Sequence, residues 1–210
     1  MDTGTLAVIG LSVVLVVWYG IGHLYNRRRG RQLFRWLEAG LDVLGGQTEA
    51  GWIGSPASGA RINVVHASPP FRRLEITLLL ENRENPLLWL LGYLRGKRDW
   101  LIIKATLRSP GHGRVWVISS GEAPGLPERS WTWQEGSHGL TVGYEGRDAQ
   151  RRASALQPWL EVYGSHVDRF FWRKSDPHII LQARVGRLLK VPARAFLRDL
   201  TVALKTNEKT

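Results

Sequence analysis

The feature that most constrains this chain is an uncharged, strongly apolar stretch near its N-terminus. Residues 5–25, TLAVIGLSVVLVVWYGIGHLY, contain no aspartate, glutamate, lysine or arginine. As an α-helix, a stretch of this length spans about 31 Å, close to the thickness of the hydrocarbon core of a bilayer. The sequence therefore predicts a transmembrane helix over residues 5–25, preceded by a short extracytoplasmic segment, residues 1–4.

Aromatic and basic residues mark one end of this stretch. Trp18, Tyr19 and Tyr25 are predicted to lie at the membrane interface, where aromatic side chains are enriched. A basic juxtamembrane segment, residues 26–31, follows and contributes four candidate contacts to anionic head groups: Arg27, Arg28, Arg29 and Arg31. Because cytoplasmic flanks carry the excess of positive charge, we expect a single-pass protein of the cell membrane with its N-terminus outside.

Two other interpretations of the apolar stretch are a cleaved signal peptide and the buried helix of a soluble protein. A signal peptide has positive charge before its apolar run and small residues at the cleavage site. Here the charge follows the run, which ends in Trp18-Tyr19. A buried core helix is usually shorter than this stretch. The sequence therefore favours a transmembrane helix.

The rest of the chain, residues 32–206, has the pattern of a cytoplasmic α+β domain. Apolar residues at helical spacing predict an amphipathic helix over residues 32–44. Runs with apolar residues at alternate positions follow and predict strands. These runs lie near residues 52–53, 61–66, 72–80, 99–108, 114–119, 131–133 and 140–144.

The last quarter of the chain changes period. Helical spacing predicts helices between Ala153 and Tyr163 and between Phe196 and Leu204. Alternation predicts two strands between them, over residues 167–173 and 178–184. This order predicts an α+β fold with a mainly antiparallel sheet and flanking helices that cover one face. A loop is predicted over residues 120–129 and a frayed tail over residues 207–210.

A second apolar segment, residues 85–98, interrupts the run of strands. It is too short to span a bilayer and carries three cations at its end. We predict that it dips into the membrane surface, with its apolar side chains at the interface and its cations on anionic head groups. The interface residues are Leu87, Leu88, Trp89, Leu90, Leu91, Tyr93 and Leu94; the head-group residues are Arg95, Lys97 and Arg98.

Two alternatives for this segment stay open. It is either a docking patch for the helices of a membrane-protein partner or a short helix buried in the core. Connections between strands normally run over the surface of a domain, where an apolar segment of this kind needs a specific reason. Contact with the membrane surface is the interpretation that explains both the leucines and the cations.

The charge of the chain indicates an anionic partner. The formal net charge is +11, and residues 1–25 contain no lysine or arginine, so the whole excess lies beyond the apolar stretch. Anionic lipid, nucleic acid and an acidic protein all fit such a charge. Because the chain has no nucleic-acid-binding motif, lipid is the favoured partner and nucleic acid is disfavoured.

No catalytic, metal-binding or cofactor-binding residues are predicted. The absence of cysteine excludes disulfides and thiolate chemistry, and the chain contains no nucleotide-binding or zinc-protease motif. The six histidines lack the spacing of metal ligands. Two carboxylate pairs, Glu81 with Glu84 and Glu161 with Asp168, are interpreted as surface charges.

The sequence thus predicts a single-pass membrane protein whose cytoplasmic domain is an adaptor, a scaffold or an accessory subunit that contacts anionic lipid. Two alternatives remain. One is a membrane-tethered enzyme that acts on a lipid or a membrane-linked substrate. The other is a membrane-tethered nucleic-acid binder.

Overall fold

The computed structural model describes residues 2–109, 111–119 and 131–205. The helices are α1 (Thr3–Glu38), α2 (Pro86–Leu94), α3 (Ala149–Tyr163), α4 (Val185–Leu188) and α5 (Ala193–Lys205). The strands are β1 (Gln47–Trp52), β2 (Gly59–Val65), β3 (Phe71–Leu79), β4 (Trp100–Leu107), β5 (Arg114–Ser119), β6 (Thr132–Glu135), β7 (Leu140–Glu145), β8 (Val167–Trp172) and β9 (Ile179–Arg184). The loop predicted over 120–129 and the tail predicted over 207–210 lie outside the described residues.

The nine strands form one antiparallel sheet. Their order is β1-β2-β3-β4-β9-β8-β5-β7-β6, so the first four strands form a meander and the pairing of β4 with β9 joins it to the rest. The predicted α+β fold with an antiparallel sheet is therefore confirmed.

A row of paired apolar side chains crosses the sheet and explains why these segments form strands. In register from β2 to β7, it comprises Ile62, Ile76, Ile103, Leu181, Phe170, Val117 and Val142. All seven are buried. Because successive side chains of a strand point to opposite faces, this register places one apolar face of the sheet under the helices. Trp159 of α3 contacts Phe170 with a ring-centroid distance of 6.4 Å, and Phe196 of α5 packs against Trp159.

The N-terminal helix is longer than predicted. The sequence predicts a separate helix over 32–44 after a basic segment, but α1 continues without a break to Glu38, and Leu41–Leu44 forms a short 3-10 helix. The prediction of a separate helix is wrong because residues 26–31 are themselves helical, with Gly30 packed against Pro56 inside α1. Gly40 lies between α1 and the 3-10 helix, and a Cβ atom there would lie 2.8 Å from the backbone of Ala193.

One face of α1 packs against the domain. Its buried residues are Gly22, Asn26, Gly30, Leu33 and Leu37, spaced at three or four residues as expected for neighbours on one helix face. Leu33 and Leu37 belong to the core of the domain. At Gly30 the helix meets the turn between β1 and β2 so closely that a Cβ atom would lie 1.9 Å from the Pro56 carbonyl oxygen. The C-terminal part of α1 is therefore part of the domain.

The N-terminal part of α1 is different. It is long and apolar enough to cross a membrane, and its most apolar window has no buried residue. Within the described ranges it is the one helix with these properties.

We predict that Gly30→Ala destabilises the domain and that Gly20→Ala does not. Both changes favour the helix by up to about 1 kcal/mol. At Gly30 the added methyl group meets backbone, and overpacking of this kind costs about 1–3 kcal/mol. At Gly20 no atom lies within 4 Å of the new methyl group. Thermal unfolding in detergent should show a lower Tm for Gly30→Ala alone, by about 2–4 °C per kcal/mol. An equal or higher Tm would contradict the packing of α1.

Candidate functional site

The helix α2 lies beside α1, beyond the ends of the strands. The Trp18 Nε1–H donates a hydrogen bond to the Arg83 carbonyl oxygen at 3.1 Å, and the Trp18 and Trp89 rings lie 5.5 Å apart. Gly22 allows the same backbone to approach, since a Cβ atom there would lie 2.2 Å from the Arg83 carbonyl oxygen. Trp18 is about 18 Å farther along the helix axis than Gly30, which lies at the strand ends. The helix α2 is therefore level with the apolar part of α1.

The local sequence explains why α2 forms. The Asn85 carboxamide accepts a hydrogen bond from the Leu88 backbone N–H at 3.0 Å, and Pro86 occupies the first helical turn. Both are common at helix starts because they satisfy or remove unpaired backbone donors. The helix ends at Leu94, with Arg95 as its C-cap, and Gly96 follows with a positive φ of 72°.

Most of α2 is apolar and exposed. Within α2 only Gly92 is buried, whereas Leu87 is 70% exposed and Leu94 71% exposed. Trp89 is half-buried between Trp18 and Tyr93. The other exposed large apolar side chains of α2 are Leu88, Leu90, Leu91 and Tyr93. In the described part of the chain, only five such side chains lie outside α1 and α2. The two helices thus form one continuous apolar surface.

A buried polar cluster fixes this arrangement. The Asp99 carboxylate accepts hydrogen bonds from the Glu81 backbone N–H at 3.0 Å and from Arg83 Nη1 at 2.9 Å. Its other oxygen lies 3.6 Å from Arg29 Nε. The Asn26 side chain donates to the Glu81 carbonyl oxygen and accepts from Arg83. The cluster therefore joins α1 to both ends of the connection that carries α2.

Two further contacts extend the cluster toward the N-terminus of α1. His23 Nδ1 and Glu84 Oε1 lie 2.9 Å apart. The Arg83 guanidinium lies over the Tyr25 ring, 5.3 Å from its centroid. Glu81 and Glu84 therefore have separate partners and do not form an acid–base pair. Tyr19, the remaining predicted interface aromatic of α1, stacks on His23.

The four arginines predicted to contact head groups occupy two different environments. Arg27, Arg28 and Arg31 are exposed on α1. Arg29 is only 18% exposed and faces Asp99. The structure thus gives Arg29 an ion pair inside the protein, which its position among other arginines in the sequence does not reveal.

The three cations that follow α2 are exposed and surround a cavity. Arg95, Lys97 and Arg98 form no ion pair with any residue in the described ranges. Together with Leu88 and Leu91 they line a cavity of about 450 Å³ between α2 and the adjoining ends of β3 and β4. The described lining contains one carboxylate, that of Glu81, and no histidine.

A second polar cluster lies at the opposite ends of the strands. Asp176 accepts hydrogen bonds from Thr106 and Arg73, and the bond from Thr106 is the main cause of the lowered pKa of Asp176. His178 Nδ1 accepts a hydrogen bond from the Leu107 backbone N–H at 3.0 Å, and burial lowers the pKa of His178. The polar groups of this cluster are hydrogen-bonded within the domain. They lie at the strand ends opposite to α2.

The site residues predicted from the sequence do not include Asn26, Glu81, Arg83 or Asp99. The available signal was the spacing of Gly22, Asn26, Gly30, Leu33 and Leu37, which places small, polar and apolar residues on one face of a continuous helix. The prediction of a basic juxtamembrane segment over residues 26–31 divides that face between two elements.

No family model matches the sequence, and no curated protein matches it. In the described ranges, no three histidine, aspartate or glutamate side chains converge as a metal site would require. The geometry of α1, α2 and their polar cluster is therefore the basis for assigning a function.

We predict that Asp99→Ala strongly destabilises the domain, whereas Glu75→Ala does not. Asp99 is 6% exposed, and its loss leaves Arg83 and Arg29 without their shared partner, which typically costs about 3–5 kcal/mol. Glu75 forms a partly exposed pair with Lys104 at 3.5 Å, a kind of pair worth about 0–1 kcal/mol. Chemical denaturation in detergent measures both differences. Similar small losses in both variants would show that the cluster contributes little.

Proposed function

We propose that this protein is a single-pass membrane protein whose α+β domain is held against the cytoplasmic face of the cell membrane. Its role is that of a non-catalytic adaptor, scaffold or accessory subunit that contacts anionic lipid. The observation that carries the proposal is the position of α2, an exposed apolar helix, beside Trp18 at the level of the apolar part of α1.

The position of α2 supports a second contact with the bilayer. When α1 crosses the membrane, Trp18 and Tyr25 lie near the interface, where aromatic side chains are favoured. The side chains of α2 then lie at the same depth. Burying a leucine side chain away from water contributes about 1.5–3 kcal/mol. Several exposed leucines on α2 therefore give a strong reason for this helix to enter the acyl boundary.

The exposed cations support contact with anionic head groups. Arg27, Arg28 and Arg31 lie on α1 just beyond the apolar part, and Arg95 to Arg98 follow α2. A lysine or arginine near an anionic surface contributes about 1 kcal/mol. Because both groups lie on the domain side of the apolar surface, they also favour the cytoplasmic orientation.

The polar cluster supports a role in presenting the domain. Asp99, Arg83 and Arg29 join α1 to the connection that carries α2, so the domain cannot turn freely about a flexible linker. Two membrane contacts on one rigid unit fix the orientation of the domain relative to the bilayer. A constant orientation suits an adaptor or an accessory subunit of a membrane-protein partner.

Single-cysteine variants test the second membrane contact, because the natural chain has no cysteine. A fluorophore on Leu94→Cys should be quenched by nitroxides attached to lipid acyl chains in reconstituted vesicles. The matched control is Ser175→Cys, an exposed position in the loop at the opposite ends of the strands, which should not be quenched. Equal quenching at the two positions would contradict the role given to α2.

The same approach tests the orientation. In intact cells, a membrane-impermeant maleimide should modify Thr3→Cys and leave Ser175→Cys unmodified until the cells are opened. Modification of Ser175→Cys from outside would reverse the proposed topology. Recovery of the full chain in the supernatant after ultracentrifugation without detergent would remove the membrane anchor itself.

The adaptor role predicts a stoichiometric partner. Full-length protein extracted in mild detergent should co-purify with a membrane protein in a fixed molar ratio, and a single-pass control protein of similar charge should not. The alternative of a membrane-tethered enzyme predicts turnover instead. Conversion of a membrane lipid by the purified full-length protein, at a rate abolished by a change at Glu81, would contradict the non-catalytic role.

A further inference from the structure

We infer that the cavity beneath α2 binds one molecule of an acidic phospholipid whose head group carries a free hydroxyl. The inference rests on the proposed function, because the cavity reaches lipid only when α2 lies at the membrane surface. It goes beyond a diffuse attraction to negative charge, since it assigns one lipid to one site. The cavity volume of about 450 Å³ lies within the range of about 300–1,000 Å³ that is typical of small-molecule sites.

The cations of the cavity are arranged to bind a phosphate. Arg98 is held by stacking over the Tyr93 ring at 4.9 Å and by the hydrogen bond from its Nη1 to the Lys97 carbonyl oxygen at 2.7 Å. Its remaining N–H groups and those of Arg95 are available for the paired hydrogen bonds that guanidinium groups form with phosphate oxygens. Three cations against the single carboxylate of Glu81 leave an excess of positive charge, which favours an acidic lipid.

The apolar wall of the cavity is arranged to bind an acyl chain. Leu88 and Leu91 lie three residues apart, so their side chains are neighbours on one face of α2. Both are exposed and point toward the same cavity as the cations. A lipid with its phosphate on Arg95 and Arg98 can therefore extend its chain along α2 into the acyl boundary.

Glu81 provides the argument for a hydroxyl. Its side chain is 7% exposed, its Oε2 lies 3.5 Å from Arg83 Nη2, and its Oε1 is buried without a hydrogen-bond partner. A buried acceptor without a donor is unfavourable. Oε1 lies on the α2 side of Glu81, where a Cβ atom at Gly92 would be 3.1 Å away and the flexible Lys97 side chain lies alongside. A hydroxyl of the head group can donate to this oxygen when Lys97 turns toward the phosphate.

The test titrates delipidated full-length protein in detergent with defined lipids and counts bound molecules by native mass spectrometry. We expect one bound phosphatidylglycerol, with phosphatidylcholine weaker by about tenfold or more because it lacks net negative charge. Phosphatidylethanol has the same single negative charge as phosphatidylglycerol but no hydroxyl on its head group, and it should also bind more weakly. Equal binding of phosphatidylglycerol and phosphatidylcholine, or several lipids without saturation at one, would overturn the site. Equal binding of phosphatidylethanol and phosphatidylglycerol would overturn the role of Glu81.

Matched variants locate the lipid. The double variant Arg95→Gln, Arg98→Gln should weaken phosphatidylglycerol binding by about tenfold or more. The double variant Arg61→Gln, Arg147→Gln removes the same charge from exposed positions that have no proposed contact with lipid, one on β2 and one before α3, and should bind like the natural protein. An equal loss in both would show attraction by net charge alone and overturn the inference. All four positions are exposed, and unchanged Tm values would show that the fold is retained.

Failure of this inference is distinguishable from failure of the proposed function. Without a specific lipid site, the fluorophore on Leu94→Cys is still quenched in vesicles, and only the single-lipid stoichiometry is lost. If α2 does not lie at the membrane, the quenching itself is lost.

Discussion

The contact on which this architecture depends is the ion pair of Asp99 with Arg83 and Arg29. Asp99 immediately precedes β4, Arg83 lies between β3 and α2, and Arg29 lies on α1, so one carboxylate holds three segments that are distant in sequence. A buried carboxylate is expensive to desolvate without partners. The contacts that Asp99 needs in order to be buried therefore also fix α1 and α2 relative to the sheet.

The location of this cluster is also significant. On one side of it, Leu33 and Leu37 pack into the core of the domain, and on the other side the apolar residues of α1 are exposed. Close packing at Gly22 and Gly30 brings α1 near the backbone of the domain on both sides of Asn26. A single helix is thus bound to the domain along one part and free along the other, without a flexible linker between them.

The sequence predicted the sheet well and the helix contacts poorly, for physical reasons. Strands such as β3 and β4 alternate apolar and polar residues because one face is buried, and this pattern is local. The fate of Arg29 is not local. Arg28 and Arg29 are adjacent arginines in one basic run, and the contact of Arg29 with Asp99, 70 residues away, distinguishes them. Likewise Gly30 resembles a helix breaker in the sequence, whereas in the structure it allows the Pro56 backbone to approach α1.

For segment 85–98, the spacing of apolar residues does not predict which face of the helix is buried. A helix that is apolar all round has no face that a pattern can assign to a core, and its surroundings decide what it does. In α2, Trp89 contacts Trp18, and Gly92 lies close to Glu81. The leucines of α2 are exposed. In water these leucines are unfavourably exposed, because the contacts that hold α2 bury Gly92 and leave the leucine side chains in solvent. This exposed apolar surface is the observation on which the proposed contact between α2 and the membrane depends.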